Sequence, residues 1–394
     1  MSEDPLYVAR RPDQYIHFEV QQSAYAGKTR SYLRKKGIPF RACLTAHPRY
    51  ANIVRTKMPR WRIPILEAPD GTIVQDTSEI IDFLEQRYPE DSIYPSGPRQ
   101  QFVAFLIEAY GDEGLSRHMM HYRWNFSDND TFMAREMARS SEPQSSLQEA
   151  DIKGEKFVQA MRDHLPGLGV SNSEVQRVTE ESWMDILDIL DEHFRLYPYL
   201  LGGKPSLGDF GLTVAHFAHL GRDPHSLRLM QTRAPFVFRW VERMQASDAN
   251  MTEFPGMQEA FLAHDEVPET LIPLLRLIAG EFGPQIEACI SGIEKRASEL
   301  LATEGKTSGL PVLVNDRASG VGRSEIDIRG VKVPVGHTPI TQWKFQRSYD
   351  FYQNLSGTAR SSVKQLIDVS GLTSLYEREI KYPILRRNFR EIFA

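Results

Sequence analysis

The chain has 394 residues, 41% hydrophobic and 25% charged, with a formal net charge of −5 and two cysteines. That length exceeds one ordinary core and implies two or three domains. The composition excludes bulk disorder, the mild acidity excludes a nucleic-acid binder by overall charge, and Cys43 and Cys289 are too few for a disulfide framework. Met1-Ser2-Glu3-Asp4-Pro5 lacks the basic-then-apolar order of a secretion signal. Apolar runs such as Leu271-Ile272-Pro273-Leu274-Leu275 are too short to cross a membrane. The expectation is a cytoplasmic protein with neither membrane nor nucleic-acid partners.

From the N-terminus, residues 15–20 are β-rich and predict a strand, followed at once by a basic helix over 25–36 that Gly37 caps and Pro39 ends. Ser23 stands in the bend between them. Backbone N–H groups at a helix start favour an anion, and a thiolate supplied by a substrate is such an anion. Read alone, Ser23 is equally an N-cap. Arg34-Lys35-Lys36 reads as a solvated helix face.

Residues 40–44 form the second strand, 58–62 a loop, and 63–67 a third strand. Asp70-Gly71 marks a hairpin into residues 72–74. Asp76-Thr77-Ser78 then cap a helix whose apolar face is Ile80, Ile81, Leu84 and Tyr88. Pro64 cannot donate to a ladder and must start a strand or lie on an edge. Two readings stand: a cis Ile63–Pro64 bond that keeps the Ile63 backbone open for a ligand, or a trans proline that begins the strand.

Beyond Pro95 the pattern turns helical. Trp183, Leu187, Leu190 and Phe194 form an apolar stripe, and Ser206 with Asp209 spells a capping box. His118 and His121 lie one turn apart near Asp112 and Glu113. They lack the spacing of a metal motif, so no metal is expected, and packing or lining a cleft is their role. Tyr122, Trp124 and Phe126 read as core. Residues 127–148 are polar and weakly periodic, which predicts a long loop or frayed helix end. Residues 268–301 predict one or two helices. Short strands are predicted over 310–314 and at Ile326, Ile328, Val331, Val333 and Val335, with a turn at Arg329-Gly330. Residues 341–355 and the basic end near Arg386, Arg387 and Arg390 read as helical. Gly27-Lys28-Thr29 and Gly305-Lys306-Thr307 lack the upstream glycine of a phosphate loop. Gly320-Val321-Gly322 lacks the strand and helix of a dinucleotide site.

The order Ser23-Ala24-Tyr25-Ala26 on a helix start, Arg62-Ile63-Pro64-Ile65-Leu66, and Asp76-Thr77 resembles the glutathione S-transferase family. The first motif is similar to the Cys-Pro-Phe/Tyr-Ala form of its omega-like classes, with serine for cysteine and alanine for proline. The resemblance runs from Tyr15 to about Met244. It implies an α/β plus all-α architecture: a thioredoxin-like glutathione-binding domain over 1–95 and an all-helical domain over 96–264. Residues 265–394 would be a mixed α/β extension that ordinary transferases lack.

It further implies glutathione as co-substrate, lying along Ile63 within the Arg62-Ile63-Pro64 segment, with its γ-glutamyl end at Asp76 and Thr77. The sulfur would meet Ser23, or its rival Tyr25, with Lys28 and Arg30 adding positive potential. Tyr110, His118 and Tyr122 would border the pocket for a small hydrophobic electrophile, in a homodimer devoted to detoxification. Lowering a thiol pKa by about two units requires roughly 2.7 kcal/mol of selective anion stabilisation. It gains only about threefold in rate after the loss of nucleophilicity. Positioning must supply the rest. Serine at 23 disfavours mixed-disulfide chemistry and favours addition, substitution or ether cleavage. Two other readings stay open: a non-catalytic binding protein on the same fold, and a glutathione-dependent lyase or dehalogenase.

Overall fold

The computed structural model describes residues 4–163, 165–315 and 318–394. The N-terminal part folds as β1 (Tyr15–Glu19), α1 (Ala24–Lys35), β2 (Phe40–Leu44), α2 (Pro48–Lys57), β3 (Ile65–Glu67), β4 (Ile73–Gln75) and α3 (Thr77–Arg87). The sheet order is β2-β1-β3-β4. β1 runs parallel to β2 and antiparallel to β3, with Tyr15 opposite Phe40 and Phe18 opposite Ile65. β1 is buried along its whole length because both of its faces are covered. Tyr15 joins the core under α1 and α3, while Ile16 and Phe18 pack with Tyr50, Ile53 and Val54 of α2. This is the thioredoxin-like arrangement. Helix α2 escaped the sequence reading, although Tyr50, Ile53 and Val54 carry the helical spacing and Pro48 opens the helix. The Ile63–Pro64 bond is cis, and the ladder of β3 begins only at Ile65.

The helices that follow are α4 (Pro98–Ala109), α5 (Ser116–Trp124), α6 (Asp130–Ser141), α7 (Leu147–Arg162), α8 (Ser173–Leu196), α9 (Leu207–His216), α10 (Pro224–Arg233) and α11 (Pro235–Gln245). A π-helical turn, Tyr110–Gly114, joins α4 to α5. Every residue of α9 is buried, and Asp209 anchors its start. Its Oδ2 accepts from the Ser206 backbone and hydroxyl, both at 2.8 Å, and its Oδ1 from Leu200 N and Trp240 Nε1. The turn after α4 touches α9 backbone to backbone, since a Cβ on Gly111 would lie 2.3 Å from the Gly211 carbonyl carbon. The expected loop over 127–148 is instead mostly α6 and the start of α7. These helices pack through small residues and methionine, Met133, Ala134 and Ala138 on one and Gly154 on the other, so no bulky apolar stripe marks them.

The extension comprises α12 (Ile272–Leu277), α13 (Gly283–Glu304), the hairpin β5 (Arg323–Ile328) and β6 (Val331–Gly336), then α14 (Pro339–Asn354), α15 (Gly357–Val369), α16 (Thr373–Glu377) and the hairpin β7 (Ile384–Arg387) and β8 (Arg390–Phe393). Two expectations need correction. Residues 310–314 make an isolated bridge, Pro311 to Ile392, rather than a strand. The basic C-terminal end is a hairpin, because Asn388 and Phe389 take positive φ, 51° and 63°, in the two-residue turn that antiparallel strands favour. Phe345, Tyr352, Val363, Leu366 and Tyr376 share one apolar cluster with Phe102 and Leu106 of α4. Ring pairs Phe102–Tyr376 at 5.0 Å and Phe105–Phe351 at 5.7 Å fasten α14 and α16 to α4. The extension is thus built into the central core. Among the described residues no helix is long and apolar enough to cross a membrane.

Candidate functional site

Ser23 is the N-cap of α1. Its Oγ accepts from Ala26 N at 3.3 Å, and among the described residues its hydroxyl proton has no acceptor. Ser23 and Tyr25 border a cavity of about 280 Å³ whose wall is supplied by Met119, Met120, Met137, Met161 and Trp124. The Trp124 indole N–H is buried without a hydrogen-bond partner. Tyr25 donates its hydroxyl proton to the Asp112 carbonyl at 2.9 Å. Burial, then the carboxylates of Glu113, Asp112 and Asp76, push its phenol well above the ordinary value. Tyr25 is therefore a neutral hydroxyl whose proton is committed to a backbone carbonyl, whereas the Ser23 proton has no acceptor among the described residues.

Of the residues expected to border an acceptor pocket, Tyr110, His118 and Tyr122 all lie in the core, away from this cavity. Tyr110 packs against Phe282 at 5.9 Å, His118 Nε2 meets Ser182 Oγ at 3.0 Å, and Tyr122 stacks on Phe126 at 5.4 Å. Burial and the nearby Arg117 keep His118 neutral, its pKa well below the histidine norm. Helix α5 presents 119, 120, 123 and 124 to the cavity, so 118 and 122 fall on its other side. Lys28 and Arg30 do not project their charge towards Ser23. Lys28 Nζ lies 2.8 Å from both Glu108 and Asp112, and Arg30 lies 2.7 Å from Glu19, all of them buried. Each cation is neutralised where it sits.

Arg62, Ile63 and Pro64 precede β3, and Asp76 and Thr77 stand at the start of α3. Asp76 holds a positive φ of 91° and caps α3, its Oδ1 accepting from Ser78 N at 2.9 Å. A non-glycine residue held in so sparse a region marks a site that its surroundings over-determine. Here the surroundings come from the extension. Lys344 of α14 places Nζ 2.9 Å from Asp76 Oδ1, 2.8 Å from Asp112 Oδ2, 3.3 Å from Thr77 Oγ1 and 2.5 Å from Ser78 Oγ. Arg386 of β7 lies 3.1 Å from Asp76 Oδ2 and donates to Gln75 Oε1 at 2.8 Å. Glu391 of β8 sits 3.8 Å from Arg62.

Burial disfavours the charge on Asp76, but Lys344 and Arg386 outweigh it and hold the carboxyl below its usual range. Burial likewise disfavours the Lys344 ammonium, and Asp112, Asp76 and Glu108 outweigh it, so the group stays protonated. Where the resemblance would put the γ-glutamyl end of glutathione, an ammonium and a guanidinium of the chain itself lie against the Asp76 carboxylate. Sequence gave no signal for Lys344, which is separated from Asp76 by most of the chain.

Residues 18–92 match the family described as glutathione S-transferase, N-terminal domain. Among solved structures, the chain is similar to glutathione transferase GSTFuA3 from Phanerochaete chrysosporium, at 16% identity and a TM-score of 0.41 over 60% of this chain and 97% of that one. It is also similar to beta-etherase LigF from Sphingobium sp. strain SYK-6, at 19% identity and a TM-score of 0.43 over 61% of this chain and 98% of that one. A third is a glutathione S-transferase from Methylobacterium radiotolerans in complex with glutathione sulfonate, at 19% identity and a TM-score of 0.36 over 65% of this chain and 100% of that one. No curated protein matches the chain. The N-terminal part is a glutathione S-transferase-type thioredoxin-like domain, followed by helices and an additional C-terminal α/β extension.

Proposed function

We propose that this protein uses the transferase fold as a binding scaffold for a small apolar molecule in the cavity at Ser23, with the amino-acid-recognising position at Asp76 filled from within by Lys344. The observation that carries this reading is the pair of contacts from Lys344 Nζ to Asp76 at 2.9 Å and Asp112 at 2.8 Å. A γ-glutamyl ammonium would have to expel a buried ammonium already paired with both carboxylates. Expelling it also means withdrawing α14, whose Phe345 lies in the main core. The cavity itself suits an adaptable apolar guest, because methionines re-pack around irregular shapes. The Ser23 hydroxyl on the cavity wall supplies a polar group for an acceptor atom on that guest.

A second reading is conjugation of an electrophile by glutathione thiolate. It is favoured by the juxtaposition of Ser23 and the start of α1 with an apolar cavity, and it requires that α14 release Asp76. Titration calorimetry with glutathione, run beside a conjugation assay with an aromatic halide, separates the two. The expected result is flat heat with glutathione and no turnover above the uncatalysed rate. Anilinonaphthalene sulfonate should bind saturably, and Met120→Trp should abolish that binding by filling the cavity. Saturable glutathione heat with turnover replaces the first reading by the second.

A further inference from the structure

A second cavity, of about 520 Å³, opens where the π-helical turn meets β6 and the start of α14. It borders the first only at Ser116. Three charged groups line it, Glu113, Arg117 and Arg323, together with the hydroxyl residues Ser116, Ser319, Thr338 and Thr341. Arg323 lies on the exposed rim and donates Nη1 to the Gly167 carbonyl at 2.9 Å. The two buried charges, Glu113 and Arg117, are incompletely matched. Glu113 Oε2 accepts from Thr341 Oγ1 at 2.9 Å, while Oε1 takes no hydrogen bond among the described residues. The nearby cation Lys344 is committed to Asp76 and Asp112. Arg117 spends Nε on Thr179 at 3.0 Å and lies 3.7 Å from Glu281, beyond hydrogen-bond reach, so its terminal nitrogens form no hydrogen bond among the described residues. Glu281 itself is engaged by Ser182 and Arg329.

A buried carboxylate without its own cation is costly, and so is a half-satisfied guanidinium. One ligand that brings an ammonium and a carboxylate together satisfies both. We propose that this cavity binds a small zwitterion of the amino-acid or dipeptide class, its ammonium against Glu113 and its carboxylate against Arg117. The glycines at 320 and 322 along its rim answer to packing rather than to phosphate binding. A Cβ on Gly320 would lie 2.7 Å from the His337 carbonyl oxygen, and Val321 and Gly322 exchange backbone hydrogen bonds with His337.

Proton linkage follows from the surroundings of Glu113. Burial pushes its carboxyl up to about 7. The Thr341 hydrogen bond and Lys344 pull it down, while Asp112 of its own turn and Asp76 at the start of α3 push it further up. Cys289 of α13 and Tyr25 of α1 also sense its charge, and both are held protonated by burial. An arriving ammonium ionises Glu113 and releases its proton to buffer.

The test is calorimetry on the full chain with glycylglycine at about pH 6.5, in two buffers of different ionisation heat, with acetylglycine as the analogue lacking an ammonium. The expected result is saturable binding of glycylglycine with a fraction of a proton released, and at least tenfold weaker binding of acetylglycine. Glu113→Gln should weaken glycylglycine at least tenfold and remove the buffer dependence. Ser319→Trp, on the exposed rim, should obstruct entry without touching the core, and serves if the first variant fails to fold. Absence of saturable heat up to about 10 mM, equal affinity for acetylglycine, or unchanged binding in both variants overturns the proposal.

Discussion

At Glu113 a single carboxyl gathers the consequences of its position: a π-helical turn turns it inwards, and burial keeps its proton on near neutral pH. Its folded value, about 7, lies above the roughly 4.3 of an unfolded glutamate. The native state therefore keeps a proton that the unfolded chain has already lost. Stability from this site is present below about pH 4.3 and is lost as pH rises through about 7, a change of roughly 4 kcal/mol. Glu113→Gln lacks that dependence. Melting temperatures measured from pH 5 to pH 8 should show the variant gaining steadily on the parent as pH rises; parallel curves would refute the assignment. Ser23 offers a contrast. Its capping role is local, written by the strand before it and the helix after it, and so it was legible in the sequence. Whether it also meets a ligand depends on methionines contributed by helices α5, α6 and α7, and no local pattern records that.

Among the elements, α14 carries the heaviest electrostatic duty. Lys344→Met would leave Asp76 and Asp112 buried with one cation fewer, and breaking a buried pair in this way typically costs about 3–5 kcal/mol. Urea denaturation should show a loss of that order, whereas a loss below about 1 kcal/mol would mean that Lys28 and Arg386 suffice. The contact between α6 and α7 gives a different test. A Cβ at residue 154 would lie 2.0 Å from the Ala134 carbonyl oxygen, so Gly154→Ala should force the helices apart. The expected cost is about 1–3 kcal/mol, read as a lower denaturation midpoint with an unchanged slope. The same contact explains why this pair hid from sequence reading: helices that meet through alanine and glycine leave no large-residue stripe. The β5–β6 hairpin was legible, because its valines and isoleucines alternate around Arg329-Gly330. The β7–β8 hairpin was not, because basic residues interrupt its alternation and its turn carries Asn-Phe rather than Asn-Gly.

For the whole molecule, the decisive fact is that residues beyond 264 share a core with α4. A chain ending at His264 would bare Phe102 and Phe105, which pack against Tyr376 and Phe351. Such a fragment should elute as aggregate and melt without a cooperative transition; a monodisperse fragment with a sharp melt would show the extension to be dispensable. Local order along the first 90 residues, α2 apart, was readable because short-range caps, turns and alternation dictate it. The seating of the extension was not, since its ion pairs and ring contacts join residues more than 200 positions apart. That seating bears on competition for Asp76. A diffusing amine contends there with one whose effective molarity is set by a rigid scaffold, and such values exceed millimolar by many orders of magnitude. On the reading proposed above, occupancy of that carboxylate is a property of whether the chain is folded, and ordinary swings in metabolite concentration leave it untouched.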